Sequence, residues 1–144
     1  MLFKLILSFV FLTHQPDPYI GQWISVDDET GKEKSEISLY VEGGKLYGRI
    51  DALLLPEDQG KMCDACKGSE KGKPIVGLVI VQGLIKEGEN WADGTILDPA
   101  NGKRYSCNIS LKEDGTLDVR GYIGFSLFGR SQVWRPKKLD ISSQ

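Results

Sequence analysis

The sequence predicts an all-β fold, an antiparallel up-and-down β-barrel of about eight strands. Apolar and polar residues alternate with a period of two through most of the chain after residue 18. Short stretches rich in Gly, Asp and Asn separate these runs and predict tight turns. No stretch has the apolar spacing of a long amphipathic helix. A meander this regular must form a sandwich or close on itself to protect its edges, and its strand number and short connections favour closure.

The first three strands are predicted before residue 55. Every second residue is apolar in the second run, from Ile37 to Val41. The third run alternates in the same way, and its polar face carries Tyr47 and Arg49. The stretches that predict these strands are "YIGQWISV" at 19–26, "SEISLYV" at 35–41 and "KLYGRIDALL" at 45–54.

The later strands follow the same pattern. Tyr105, Cys107 and Ile109 share one face of their run, and Leu117 and Val119 share one face of the next. One long apolar run is broken by two Gly, and its Val and Ile content favours a strand over a helix. The stretches concerned are "PIVGLVIVQGL" at 74–84, "RYSCNISL" at 104–111, "TLDVRGYI" at 116–123 and "SQVWR" at 131–135.

The N-terminus differs from the rest of the chain. Lys4 precedes an apolar run, Leu5 to Leu12, which ends before Pro16 and Pro18. A short positive start and an apolar run too short to span a bilayer predict a secretory signal peptide; a buried first strand or helix is the alternative. We therefore expect a periplasmic or secreted protein without a transmembrane segment once the signal is removed. The predicted organisation is a signal peptide at 1–17, one barrel domain at 18–136 with a long polar loop near 55–74, and a flexible tail at 137–144.

Taken together, these stretches resemble a known bacterial family, domain of unknown function 2147. The resemblance implies a lipocalin-like barrel and a location outside the cytoplasm, and it brings no established activity. It rests on "GQW" at 21–23, "KLYGRI" at 45–50, "MCDACKG" at 62–68, "KPIVGLVIVQGL" at 73–84, "WADGTILDPANGKRYSC" at 91–107 and "VRGYIGFSLFGRSQVWRP" at 119–136.

The "GQW" stretch also resembles the G-x-W of lipocalins, which implies a structural role at one barrel end. Trp23 would close that end, with Arg130 or Arg135 from the last strand over its ring in a cation–π contact. Trp134 on the last strand is expected to play a similar structural part.

The C-x-x-C pair, Cys63 and Cys66, allows several interpretations. A structural zinc site needs four N or S ligands, and loss of the signal would also remove the only His, His14, so zinc is not expected. A thioredoxin-type catalyst needs a helix beside a βαβ unit, which the sequence lacks. A structural disulfide remains, either Cys63–Cys66 or a bond from one of these to Cys107.

Candidate binding residues lie on the predicted strands, whereas catalytic candidates are lacking. Ser–His and Cys–His arrangements are excluded without a His, no cofactor is expected, and we expect no enzyme. The oxygen-rich "DPANGK" at 98–103 is better explained by a hairpin turn than by calcium. Either the polar and aromatic residues of the strands are solvated on the outer face, or they partly line a cavity. The candidates are Tyr47, Arg49, Tyr105, Arg120 and Tyr122, although their strand faces argue against a single shared wall.

Three functional classes follow. The first is an exported barrel that binds a small hydrophobic or amphipathic molecule or lipid in its mouth. The second is a structural or protein-interaction module of the cell envelope, with unknown partners, and the third and weakest is a thiol–disulfide redox protein. Nucleic acid is not an expected partner, because a formal net charge of −2 gives no basic face.

Overall fold

The computed structural model describes residues 6, 8–12, 15–125 and 129–138. Its eight strands are β1 (Gly21–Val26), β2 (Glu33–Glu42), β3 (Lys45–Leu53), β4 (Val79–Glu87), β5 (Asn90–Asp98), β6 (Lys103–Leu111), β7 (Leu117–Tyr122) and β8 (Gly129–Pro136). Two single-turn 3₁₀ helices, Pro56–Asp58 and Gly68–Glu70, lie in the long β3–β4 loop.

The sheet closes into a barrel. Each strand pairs antiparallel with the next, and β8 pairs with β1, so that Trp23 lies opposite Pro136 and Val26 opposite Val133. This closure leaves no sheet edge open to pairing with another chain. The predicted eight-stranded up-and-down barrel is therefore confirmed.

The alternating apolar and polar residues of the strands face the inside and the outside of the barrel, respectively. Ile37, Leu46, Val81, Cys107 and Ile109 are at most 1% exposed, and each belongs to an inward-facing row of its strand. The apolar positions at strand ends behave differently: Val41 is 40% exposed and Ile123, beyond the end of β7, is 66% exposed. Alternation therefore predicted the direction of these residues, but their burial depends on their height in the barrel.

The long apolar run at 74–84 is only partly a strand. β4 begins at Val79, because Pro74 lacks a backbone donor and Gly77 has a φ of 99°. The residues before it belong to the long loop, and Gly77 and Leu78 exchange backbone hydrogen bonds with Ile50 of β3.

The two ends of the barrel differ. One end, here called the closed end, carries the N-terminal turn and the three tight hairpins at 43–44, 88–89 and 112–116. The other, here called the mouth, carries the β1–β2 turn at 27–32, the long β3–β4 loop, the β5–β6 turn at 99–102 and the β7–β8 connection.

Tyr19 closes the closed end. Its side chain is 2% exposed, and its hydroxyl donates to the Glu89 carbonyl and accepts from the Leu111 N–H, both at 2.8 Å. Trp23 Nε1 donates to the Tyr19 carbonyl at 2.9 Å. Burial raises the pKa of the Tyr19 hydroxyl, so it stays a neutral plug at physiological pH.

The described part of the N-terminal segment lies away from the barrel. Residues 8–12 have no regular secondary structure, and Phe9, Phe11 and Leu12 are between 78% and 88% exposed. No helix within the described ranges is long and apolar enough to cross a membrane. At the C-terminus, Lys137 is held by a backbone hydrogen bond to Gln22 and an ion pair with Glu36, whereas residues 139–144 of the predicted flexible tail lie outside the described residues.

Candidate functional site

The lumen is filled at its closed end and accessible at its mouth. Tightly buried side chains of Leu39, Leu46, Leu84, Ile109 and Leu117 fill its lower part. The inward-facing residues nearest the mouth are here called the mouth layer. They are Ser25, Ser35, Ile96, Tyr105, Gly121 and Gln132. Ile96, Tyr105, Gly121 and Gln132 are partly exposed, whereas the lumen residues beneath them are buried.

Gly121 leaves space in the mouth layer. The atoms nearest to a Cβ placed on Gly121 would be Ile96 Cγ2 at 3.4 Å, Tyr105 Cβ at 3.5 Å and Tyr105 Cγ at 3.9 Å, which is ordinary van der Waals contact. The two other inward glycines differ, because a Cβ on Gly48 or Gly94 would come within 3.0 Å of its neighbours. The lumen is thus closely packed around Gly48 and Gly94 but has room for a further carbon atom at Gly121.

The polar groups of the mouth layer are only partly satisfied by one another. Ser25 Oγ and Ser35 Oγ are 2.6 Å apart and both residues are buried. Gln132 Oε1 accepts from Trp134 Nε1 at 3.3 Å, and Tyr105 accepts from Asn101 Nδ2 at 2.9 Å. Within the described residues, Gln132 Nε2 and the hydroxyl hydrogen of Tyr105 have no acceptor, so they are available to a ligand.

An ion-pair cluster lies at the rim of the mouth. Arg130 continues the inward row of β8 and its guanidinium reaches the β1–β2 turn, where it binds both carboxylate oxygens of Asp28 at 2.7 Å and Glu29 at 3.1 Å. The guanidinium holds the pKa of Asp28 below its usual range, and the carboxylates raise that of Arg130. Asp28 and Arg130 therefore stay ionised and paired near pH 7.

The five predicted binding residues do not converge. Tyr47 lies on the outer face and stacks on Tyr40 with ring centroids 5.9 Å apart. Arg49 is exposed and pairs with Asp51 at 3.1 Å. Arg120 and Tyr122 alternate with the inward Val119 and Gly121, so both belong to the outer face, where Arg120 donates to Ser131 Oγ. Of the five, Tyr105 alone faces the lumen, because the other four alternate with inward residues of their strands.

The predicted set left out most of the mouth layer. Gln132 could have been found from its position two residues before Trp134, and Gly121 from its place on the apolar face of "TLDVRGYI". Ser25 and Ser35 gave no such signal, because their burial and pairing depend on the register between β1 and β2.

The structure positions the predicted closing residues differently from the expectation. Trp23 and Trp134 are buried in the lumen at 5% and 1% exposure. Arg130 lies six residues from Pro136, the partner of Trp23, which is about 20 Å along a strand, and Arg135 forms an ion pair with Glu33. Both arginines therefore have carboxylate partners instead of the Trp23 ring.

Lys86 supplies the cation at the closed end. Its Nζ lies 4.9 Å from the Tyr19 ring centroid and 5.2 Å from that of Trp91, and it pairs with Asp17 at 3.3 Å. The cation at this end is thus a lysine of β4 over Tyr19 and Trp91, and not an arginine of β8 over the Trp23 ring as predicted.

The cysteines form one disulfide and leave one thiol. Cys63 and Cys66 are bonded, and both residues are at most 3% exposed. Cys107 is a free thiol inside the lumen, and burial raises its pKa to about 12. The structure thus selects the Cys63–Cys66 pairing over a bond to Cys107.

The disulfide loop packs against the β5–β6 turn. Cys63 Sγ lies 3.7 Å from the Pro99 carbonyl oxygen, and a Cβ on Gly102 would collide with the Ala65 carbonyl. Glu70 of the same loop binds Arg104 of β6 at 2.6 Å. The loop therefore covers this part of the outer wall, which explains why the outward Leu97 is only 3% exposed.

Two grooves lie outside the lumen. One, of about 330 Å³, separates the long loop from β4 and is lined by residues that include Glu70, Lys73, Val76 and Gln82. The other, of about 320 Å³, lies at the closed end beside Pro18, Ile20, Leu111 and Pro136. They are competing locations for a ligand.

The oxygens of the "DPANGK" turn serve the backbone. Asp98 Oδ1 accepts from the Ala100 N–H and Asn101 Oδ1 from the Lys103 N–H, both at 2.9 Å. No group of three or more metal-ligating side chains occurs in the described ranges.

Comparison with known proteins places the chain in a family. A model of bacterial proteins described as uncharacterized and conserved in bacteria, domain of unknown function 2147, matches residues 21–135. The chain belongs to this family. No curated protein matches the chain.

A solved structure shares the barrel of this family member. Protein HP1028 from the human pathogen Helicobacter pylori, described as belonging to the lipocalin family, superimposes with a TM-score of 0.73 over 83% of each chain at 17% identity. At this identity the likeness shows the lipocalin-like fold alone.

Proposed function

We propose that this protein is an exported, non-enzymatic lipocalin-like barrel that binds a small amphipathic molecule at its mouth. The observation that carries the proposal is the partly exposed mouth layer above a filled lumen, with Gly121 leaving its space open. Apolar Ile96 and the polar ends of Tyr105 and Gln132 meet there, and binding sites commonly combine an apolar lining with a few hydrogen-bonding groups.

A larger side chain at position 121 tests whether the ligand binds at the mouth. Leu at position 121 has room for its Cβ, and its remaining atoms would enter the space beside Ile96 and Tyr105. In a panel of short-chain amphiphiles, we expect at least one to raise the melting temperature of the unsubstituted protein and Gly121→Leu to abolish that rise. Ser106→Leu is the matched control, because Ser106 lies between inward Tyr105 and Cys107 and so faces outward.

The outer groove is tested in parallel. Val76 is 44% exposed on its lining, so Val76→Lys changes the groove without touching the lumen. Binding that survives Gly121→Leu and is lost with Val76→Lys would move the site to the groove and refute the mouth.

Two observations support export. The apolar residues at 8–12 are exposed instead of contributing to the core, as a removable segment would be, and the chain contains a disulfide, which persists in oxidising compartments. Asp17 is tied to the barrel, since it accepts from the Tyr19 N–H at 2.9 Å and pairs with Lys86.

We therefore expect cleavage before Asp17. The signal peptide would then end at least one residue before the boundary at residue 17 that the sequence predicts. Intact-mass analysis of the protein recovered from the periplasm of an expressing bacterium should give a chain that retains Asp17 and the Cys63–Cys66 bond. A full-length mass in the cytoplasmic fraction alone would contradict export.

Redox catalysis has less support. An exchange catalyst must present an attackable sulfur, whereas Cys63 and Cys66 are 0% and 3% exposed beneath their own loop. The disulfide instead holds the loop on the barrel wall. This structural role is compatible with a ligand-binding barrel and with a protein-interaction module.

A further inference from the structure

We propose that the ligand of the mouth is an uncharged molecule with a hydrogen-bond acceptor, such as an amide, ester or ketone, next to a short apolar chain. This inference rests on the proposed function, because it assigns a chemical class to the same site. The inference depends on two observations. One is which hydrogen-bonding groups of the mouth layer face the lumen, and the other is the pairing of Arg130 with carboxylates at the rim.

The mouth layer offers donors. Gln132 uses its Oε1 for Trp134 Nε1, which leaves its two Nε2 hydrogens for a ligand. Tyr105 uses its hydroxyl oxygen as the acceptor for Asn101, which leaves its hydroxyl hydrogen. Because Gln132 and Tyr105 flank the open position of Gly121 on neighbouring strands, a carbonyl oxygen in that space can accept from either.

The same wall disfavours a carboxylate. Arg130 is the cation that continues the inward row of Gln132 and Trp134, and its Nε and Nη2 bind Asp28 and Glu29. A carboxylate in the mouth would meet two carboxylates that already share this one guanidinium, and it would compete with a bidentate ion pair for the counter-charge.

An ammonium group is disfavoured for a different reason. An ammonium group is a donor only, so it cannot use the Gln132 Nε2 and Tyr105 hydroxyl hydrogens. It would have to share Gln132 Oε1 and the Tyr105 hydroxyl oxygen with the donors that they already accept from, Trp134 Nε1 and Asn101 Nδ2. The acidic residues Asp28 and Glu29 are already paired with Arg130. A neutral acceptor is thus the ligand group that the mouth layer satisfies without leaving a charge unpaired.

Three probes with an eight-carbon chain separate these classes: octanamide, octanoate and octylammonium. They are titrated by calorimetry at about pH 7.5, where octanoate and octylammonium are charged. We expect octanamide to bind about tenfold more tightly than either charged probe, since an unpaired charge in a partly buried site costs more than the hydrogen bond it replaces. Gly121→Leu should abolish the octanamide signal.

A double substitution at the rim tests the role of the ion pair. Asp28→Asn with Glu29→Gln releases Arg130, so octanoate affinity should rise about tenfold while octanamide affinity stays within about twofold. The matched control is Glu87→Gln with Glu113→Gln, which removes two exposed negative charges from the closed end and should leave both affinities unchanged.

The outcomes distinguish the two proposals. Octanoate or octylammonium binding at least as tightly as octanamide, with loss in Gly121→Leu, would overturn the ligand class and leave the mouth as the site. Absence of binding by all three probes would overturn both. An equal rise in octanoate affinity in the closed-end control would show that net charge, and not release of Arg130, excludes the anion.

Discussion

Trp134→Ala should lower the free energy of unfolding by about 3–5 kcal/mol. The side chain is 1% exposed in the centre of the lumen, opposite Leu117 on β7 and Ser25 on β1. Its removal leaves a cavity that a closed barrel cannot collapse, because every strand is held on both sides. Denaturant unfolding followed by circular dichroism measures the loss.

Two further substitutions make that result interpretable. Tyr47→Ala removes a large aromatic from the outer face, where the ring is half-exposed, and should cost about 1 kcal/mol. Trp134→Phe retains most of the packed volume and should fall between the two. A loss below about 1.5 kcal/mol for Trp134→Ala would mean that the lumen relaxes around the gap, against the rigid packing described above.

Gly94→Ala should destabilise the barrel by about 3 kcal/mol, although it adds one methyl group. The added Cβ would lie 2.5 Å from the Gln82 carbonyl oxygen and 2.6 Å from the Leu84 N–H nitrogen, both backbone atoms of β4. These atoms cannot move aside without disturbing the pairing of β4 with β5. The positive φ of Asp93, 59°, and the irregular register between Trp91 and Gly94 show that the backbone already bends to bring the strands this close.

Gly48→Ala provides the matched comparison. It too faces the lumen, but the nearest atoms to its added Cβ are side-chain atoms, Leu39 Cδ2 at 2.9 Å and Val81 Cβ at 3.0 Å. Because the closest of these atoms is the end of a flexible side chain and the Val81 contact is less severe than the backbone contacts of Gly94, we expect a smaller loss of about 1–2 kcal/mol. Equal losses in the two variants, measured by thermal unfolding and denaturant titration, would show that backbone contact with β4 is not the limiting feature.

These two residues also bear on the candidate site. Trp134 forms the floor of the mouth through its hydrogen bond to Gln132, and Gly94 lies in the packed lumen beneath Ile96. Rigid packing below the mouth layer holds Gln132 and Tyr105 at fixed positions, which lowers the entropic cost of binding. A loosened lumen is therefore expected to weaken ligand binding as well as stability.

The fold could be read from the sequence because β alternation is a local property. Tyr105, Cys107 and Ile109 were assigned to one face from their spacing alone, and the structure places all three toward the lumen. The turn residues fixed the number of strands, since each tight hairpin needs Gly or Asx residues in the observed positions. Closure followed from the need to protect edges.

The candidate site was harder to predict, because it is made of residues from six strands. All five candidates were chosen for their chemistry. Tyr105 lies in the mouth layer, whereas Tyr47, Arg49, Arg120 and Tyr122 face outward. Gln132 and the Ser25–Ser35 pair meet only through the strand register of the closed barrel. Arg130 was expected to lie over the Trp23 ring. Its position along β8 instead places it at the mouth, whereas Trp23 lies at the closed end.

The sequence by itself determined the strands, their inward and outward faces, the turns and the apolar segment that precedes them, because each depends on neighbours within a few residues. Tertiary structure alone decided that Cys63 bonds to Cys66, that the long loop covers the wall at Leu97, and that space remains beside Gly121. Each of these depends on distances between strands remote in sequence, which side-chain packing in a closed barrel sets and local pattern does not.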